Sequence, residues 1–123
     1  FTGVLPNKET IEYFQNADIF LLSSLRESGG AVVLEGMSCG AVPVVVDHGG
    51  PSEIVTEHTG IKIKPVSREQ LVADFSAAIS RLARDPDLRH RLAAEGRQVV
   101  EQEYDWKVKA GKMMENYRET LGV

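Results

Sequence analysis

The sequence predicts an α/β fold, a parallel sheet flanked by helices, from three observations. Ile19–Leu22 and Val42–Val46 are continuous apolar runs, the pattern of strands covered on both faces rather than one. Between them lies a helix-like stretch, residues 31–39, at the spacing of a β-α-β crossover. From residue 67 onward apolar side chains recur at helical spacing.

Taken in order, residues 1–3 read as a short strand followed by turn residues, with Leu5-Pro6-Asn7 as a turn and Asn7 as a helix N-cap. Ile11, Phe14 and Ala17 give one apolar side to the helix that ends near Gln15, and Asp18 opens what reads as the central strand. Gly29-Gly30 is a turn into the next helix, which Gly40 ends in the left-handed conformation. After Val42–Val46, the residues Asp47-His48-Gly49-Gly50-Pro51 form a second strand-end loop, and residues 52–56 one helical turn. Thr59-Gly60 turns into a third strand over residues 61–64, whose apolar and basic alternation suits a sheet edge.

Three helices then follow. Ser67 and Gln70 form a capping box ahead of Leu71, Phe75, Ala78, Ile79 and Leu82, and Asp85-Pro86 starts the next helix, which reaches about Glu103. Leu88, Leu92, Val99 and Val100 point inward there, with Arg89, His90, Arg91, Glu95 and Arg97 on the solvated side. Asp105 caps the last helix, whose face of Trp106, Ala110, Met113, Met114, Tyr117 and Leu121 reads as core. A second reading leaves part of that face exposed, where it drives self-association.

At 123 residues, 42% hydrophobic and 26% charged, the chain reads as a single domain over residues 1–123. Its abrupt start has the look of an excised part of a larger protein. A formal charge of −4 disfavours nucleic acid or an anionic membrane as partner, because both require basic surface. The single cysteine, Cys39, excludes an internal disulfide and fits a reducing compartment. No run is long enough to span a membrane. Asp47 and His48 point to opposite faces of an extended chain and no further His or Cys has ligand spacing, so no metal site is expected.

The chemistry gathers at residues 26–40, a strand-to-helix corner. In open parallel sheets the ligand crevice lies beyond the carboxyl ends of the strands, and the first amides of the following helix aim free N–H groups into it. Glu27 and Glu35 bracket the turn. Spacing alone makes the first a turn cap and the second a solvated helix position. However, a carboxylate inside Val32-Val33-Leu34-Glu35-Gly36-Met37 interrupts an apolar helix, which suits a residue facing a crevice.

Glu27 followed by seven residues and Glu35 resembles the signature of the retaining glycosyltransferases of the GT-B class usually called family 4. The resemblance extends over residues 1–3, Ala17 to Phe20, Ser23-Ser24, Gly40 with Pro43-Val44-Val45, Gly49-Gly50, Glu53 and Gly60. The chain departs from it with Gly29-Gly30-Ala31 where the family commonly has Phe-Gly-Leu, and with Glu35-Gly36 where it has Glu-Ala. The resemblance implies a partial Rossmann-like parallel sheet, the C-terminal half of a nucleotide-sugar-binding domain, with other strands of a six-stranded sheet outside these residues. It implies a nucleotide diphosphate sugar as donor, no cofactor or metal, and an acceptor glycan, lipid or small molecule held by a separate N-terminal domain. It assigns Glu27 to the donor sugar near the reacting carbon and Glu35 to the ribose. Backbone amides of Ser28, Gly29, Gly30, Ala31 and Val32 fall near the diphosphate and sugar. The basic diphosphate ligands lie upstream, so the 123 residues alone are expected to be inactive. A nucleotide-sugar epimerase of related fold and a non-catalytic nucleotide-sugar-binding or interaction module are the alternatives.

Overall fold

The computed structural model describes residues 2–122. Three strands, β1 (Ile19–Leu22), β2 (Val42–Val46) and β3 (Ile61–Ile63), form a sheet in the order β1-β2-β3 with both pairings parallel. Ile19 stands opposite Val42 and Leu22 opposite Val45, while Val44 and Val46 stand opposite Ile61 and Ile63. The helices are α1 (Asn7–Gln15), α2 (Ala31–Ser38), α3 (Gly49–Ile54), α4 (Arg68–Arg84), α5 (Pro86–Val99) and α6 (Trp106–Leu121). The α/β class and the parallel, helix-flanked sheet are as the apolar runs predicted.

Every residue of β2 is buried, because successive side chains leave opposite faces of the strand and both faces are covered. Val42 and Val44 enter one core layer with Ile63, Ala78, Leu82, Leu88 and Leu92 from β3, α4 and α5. Val45 enters the other, with Val33, Met37, Ile54 and Val55, against which Phe20, Val100 and Tyr104 pack. Each fully buried aliphatic side chain contributes about 1.5–3 kcal/mol relative to exposure, so these two layers hold the sheet between the helices.

Local signals set most boundaries. Ser67 Oγ accepts from the Gln70 amide at 3.1 Å, but the Gln70 side chain donates to Asp74 at 2.6 Å instead of returning to Ser67, so the capping box is half made. Asp85 caps α5 through the Leu88 amide at 2.9 Å, and Asp105 caps α6 through the Lys107 amide at 2.8 Å. Gly40 has φ +87° as its position demands. Between α5 and α6 the chain forms a π-helical turn, Val100–Tyr104, closed by Asp105 N–H donating to the Val100 carbonyl at 3.0 Å.

Several expectations are corrected. Thr2 and Gly3 belong to no strand, and Phe1 of the expected opening strand lies outside the described residues. Asn7 is the first residue of α1 rather than its cap; Pro6 holds the cap position, where its carbonyl receives the amides of Glu9 and Thr10. The turn expected over residues 52–56 begins earlier, at Gly49, because Gly49-Gly50-Pro51 starts the helix directly from the strand end. β1 is an edge of the described sheet and β2 its centre. Beside that edge runs an apolar groove of about 830 Å³, between Leu21 and Leu25 on one side and Leu71, Val72, Phe75 and Ile79 on the other.

Two helical faces also differ. Arg89, expected in solvent, has its side chain only 18% exposed and donates from Nη1 to the Leu82 carbonyl at 2.8 Å. Its Nε lies 3.3 Å from Asp18 Oδ1, an ion pair without hydrogen-bond alignment. The α6 face read as core is exposed, with Trp106 at 87% and Leu121 at 72%. Asp105 has a ψ of 140°, which breaks the helical path and carries α6 away from the two core layers.

Candidate functional site at the strand ends

β1 and β2 run parallel, so the loops that follow them open at the same end of the sheet. The first loop leaves Leu22, passes Glu27 and turns at Gly30, whose φ of +71° makes it the left-handed N-cap of α2. The Val33 amide donates to the Gly30 carbonyl at 2.9 Å as the first helical bond. The second loop leaves Val46 and enters α3 through Gly49 and Gly50.

The two loops are locked together by backbone. The Gly50 amide donates to the Glu27 carbonyl at 3.1 Å. A Cβ on Gly49 would collide with the Glu27 carbonyl oxygen, and one on Gly50 with the Ser28 oxygen and, at 2.7 Å, the Gly29 carbonyl carbon. A Cβ on Gly30 would press at 3.1 Å on the Pro51 nitrogen. Gly30, Gly49 and Gly50 therefore permit close approach of one loop to the other. Replacing Gly50 with Ala must shift backbone on both sides, and we expect it to cost about 1–3 kcal/mol, the usual range for overpacking. The midpoint of urea unfolding measures it, and an unchanged midpoint would show that the loops separate freely.

Each residue singled out in the sequence lies at this corner. Glu27 is half-buried, and its Oε1 accepts from the Gly29 amide at 3.3 Å and the Gly30 amide at 3.2 Å. That is the turn-capping arrangement expected from spacing alone. Ser28, Gly29 and Ala31 are exposed and Val32 half-buried. Glu35 lies one turn beyond Ala31 on α2, half-buried, with no ion-pair partner among the described residues. Its backbone carbonyl accepts from Ser38 Oγ at 2.7 Å. Ala31 and Val32 carry the first amides of α2, which by position lack intrahelical partners.

The departures from the family pattern fit this geometry. A Cβ at Gly29 meets nothing within 4 Å, so the glycine there is not forced by packing. A Cβ at Gly36 would touch the Phe20 and Phe14 rings at 3.4 and 3.5 Å, ordinary contact, so the alanine common in the family would fit as well.

One strut went unread in the sequence. Lys62, on the exposed side of β3, donates to the Ser52 carbonyl at 3.2 Å and lies 3.7 Å from Asp47 Oδ1, tying α3 and the end of β2 to the neighbouring strand. The sequence signal for it is the apolar and basic alternation of residues 61–64, which by itself marks only an edge strand. His48 is exposed, and among the described residues no three His, Cys, Asp or Glu side chains gather where a metal ion could sit. Among the described residues no helix is long and apolar enough to cross a membrane.

Comparisons with known proteins agree with the geometry. Sucrose synthase 5 of Arabidopsis thaliana is 33% identical over 96 residues, covering 77% of this chain and 12% of the relative. Alpha-maltose-1-phosphate synthase of Mycolicibacterium smegmatis is 30% identical over 118 residues, covering 94% of this chain and 30% of the relative. Among solved structures, sucrose-phosphate synthase from Thermosynechococcus elongatus superposes with a TM-score of 0.82 at 27% identity, over 99% of this chain and 30% of that one. The chain thus spans less than a third of the length of these relatives. The fold is that of a GT-B glycosyltransferase domain. A family model described as glycosyl transferases group 1 matches residues 1–99, and the chain belongs to that family.

Proposed function

We propose that this chain is the donor-binding portion of a retaining, metal-independent glycosyltransferase of family 4 that takes its sugar from a nucleotide diphosphate donor. The observation that carries the reading is the corner itself: a left-handed Gly30 opening α2, with Glu27 before it and, within it, Glu35, which has no ion-pair partner among the described residues. Family membership and the relatives' names, which denote synthesis of sucrose and of alpha-maltose 1-phosphate, favour transfer over epimerisation or a purely binding module.

In this reading Glu35 accepts hydrogen bonds from the ribose, and Glu27 meets the donor sugar near the reacting carbon. Amides from Ser28 to Val32 face the diphosphate and sugar. Their N–H groups, with the positive end of α2, stabilise charge as it develops on the departing diphosphate, the largest catalytic effect a fixed set of dipoles offers. The acceptor and the basic groups that complete the diphosphate site come from residues outside this chain. The setting is cytoplasmic, or the cytoplasmic face of a membrane. Self-association of the isolated chain belongs to the same proposal and is supported by the exposed apolar face of α6.

The 123 residues by themselves are expected to show no turnover with UDP- or GDP-sugars, whereas the full-length protein is expected to transfer with retention of the anomeric configuration. Initial rates and product stereochemistry test both statements. Turnover by the isolated chain, or an inverted product from the full-length protein, would remove the proposal.

A further inference from the structure

Glu27 occupies two donors that the reading above gives to the ligand. Its carboxylate rests on the Gly29 and Gly30 amides, at 3.3 and 3.2 Å, and these amides belong to the set assigned above to the diphosphate and sugar. A carboxylate and a phosphate on the same two donors repel one another, and each N–H points at only one of them. We propose that the Glu27 side chain is an intramolecular stand-in for the donor's phosphate, covering the two amides until a nucleoside diphosphate displaces it. The inference rests on the donor-binding reading of this corner.

The surroundings suit a side chain that moves on a fixed pivot. The backbone of Glu27 is held by the Gly50 amide on its carbonyl at 3.1 Å, and Gly49 packs against the same oxygen. Rotation about the side-chain bonds uncovers the amides without moving that backbone. Gly29 leaves open space beside the turn, since a Cβ there meets nothing within 4 Å. The displaced carboxylate stays attached to a clamped residue at the mouth of the corner, the side on which the reading places the sugar. Phosphate binding and presentation of Glu27 to the sugar thereby become one event. Until it occurs, the covered amides carry a hydrogen-bonded anion just ahead of the positive end of α2.

Covering lowers the apparent affinity by the fraction of molecules in which the amides are free. Calorimetric titration of the full-length protein with UDP and GDP, and with uridine and guanosine as phosphate-free controls, tests the idea. Glu27→Ala is expected to bind the better nucleoside diphosphate about tenfold more tightly than wild type, as for amides covered in roughly nine molecules of ten, with nucleoside binding unchanged. Glu27→Gln keeps an acceptor but loses the charge and is expected to gain about threefold; it decides the matter if Glu27→Ala does not fold. Diphosphate binding unchanged or weaker in these variants, while Glu35→Ala weakens it, would overturn the stand-in role and leave the site reading intact. A gain that extends equally to the nucleosides would mean general loosening of the loop and would also overturn it. No binding of either nucleotide by wild type or variants would defeat the site reading and this inference together.

Discussion

Glu27→Gln in the full-length protein is expected to lower the rate of transfer on the order of a hundredfold, the scale seen when one fixed electrostatic group at a reacting centre is removed. The residue sits at the tightest point of the corner. Its carbonyl is bound by Gly50, its neighbours Ser28 and Gly29 are packed against the same glycine, and Gly30 turns immediately after it into α2. The substitution retains size and one acceptor, so the loop keeps its shape and the lost quantity is charge. In the proposed reading that charge acts on the sugar as positive character develops at the reacting carbon, an interaction stronger in the transition state than before it. Such a loss lowers kcat and kcat/KM together. Affinity for the free nucleotide has no reason to fall, since this carboxylate competes for amides rather than contacting base or ribose. Initial rates with the donor sugar, beside calorimetry with the free nucleotide, separate the two quantities. An unchanged kcat would end the assignment of Glu27 to the reacting sugar.

The frame that holds this corner was legible because each of its signals is local. Two apolar runs without alternation announced strands buried on both faces; the structure covers Val42–Val46 completely, whereas Ile19–Leu22, at the edge of the described sheet, is only partly buried and Leu21 is exposed. Gly40, Ser67, Asp85 and Asp105 marked helix ends through backbone conformation or a side-chain oxygen, and all four act at those ends. What stayed hidden depends on partners distant in sequence. The face of α6 was identified by its period, but periodicity says which residues share a side and not what covers it, so Trp106 was read as core and is exposed. Arg89 lies one position from the buried Leu88, and its reach to the Leu82 carbonyl and Asp18 follows from how α5 docks, not from its own helix.

The corner itself was legible in part. Its location followed from chain order, since parallel strands place consecutive loops at one end of the sheet. The role of the glycines did not. In the sequence Gly49 and Gly50 read only as residues of a strand-end loop, whereas the atoms a Cβ would strike belong to Glu27, Ser28 and Gly29. Sequence shows that a residue is small but not what approaches it. Likewise the pairing of Glu27 with the two amides was one of two readings of its spacing, and only coordinates distinguish a carboxylate resting on its own turn from one turned outward.

Glu35→Ala is expected to weaken binding of free nucleotide about ten- to hundredfold, as the loss of charge-assisted hydrogen bonds worth roughly 1.5–3 kcal/mol implies. Three observations favour the proposed ribose contact over a purely structural role for this acid. It is half-buried, it has no cationic partner among the described residues, and it interrupts a helix whose other side chains Val33 and Met37 are buried in the core. A carboxylate so placed has given up part of its hydration without an ion pair in return, which a hydroxyl-bearing ligand can restore. Alanine suits a helix position better than glutamate does and leaves no buried charge behind, so the variant should fold with unchanged or slightly raised stability. The defect is therefore expected in nucleotide affinity and in KM for the donor, with a smaller change in kcat, the reverse of the Glu27→Gln pattern. Calorimetry with UDP and GDP, an unfolding curve and initial rates on the same preparation give the three readings. Equal loss of affinity in both variants would show that the carboxylates act on the same part of the ligand, and a destabilised Glu35→Ala would show that this side chain serves the fold.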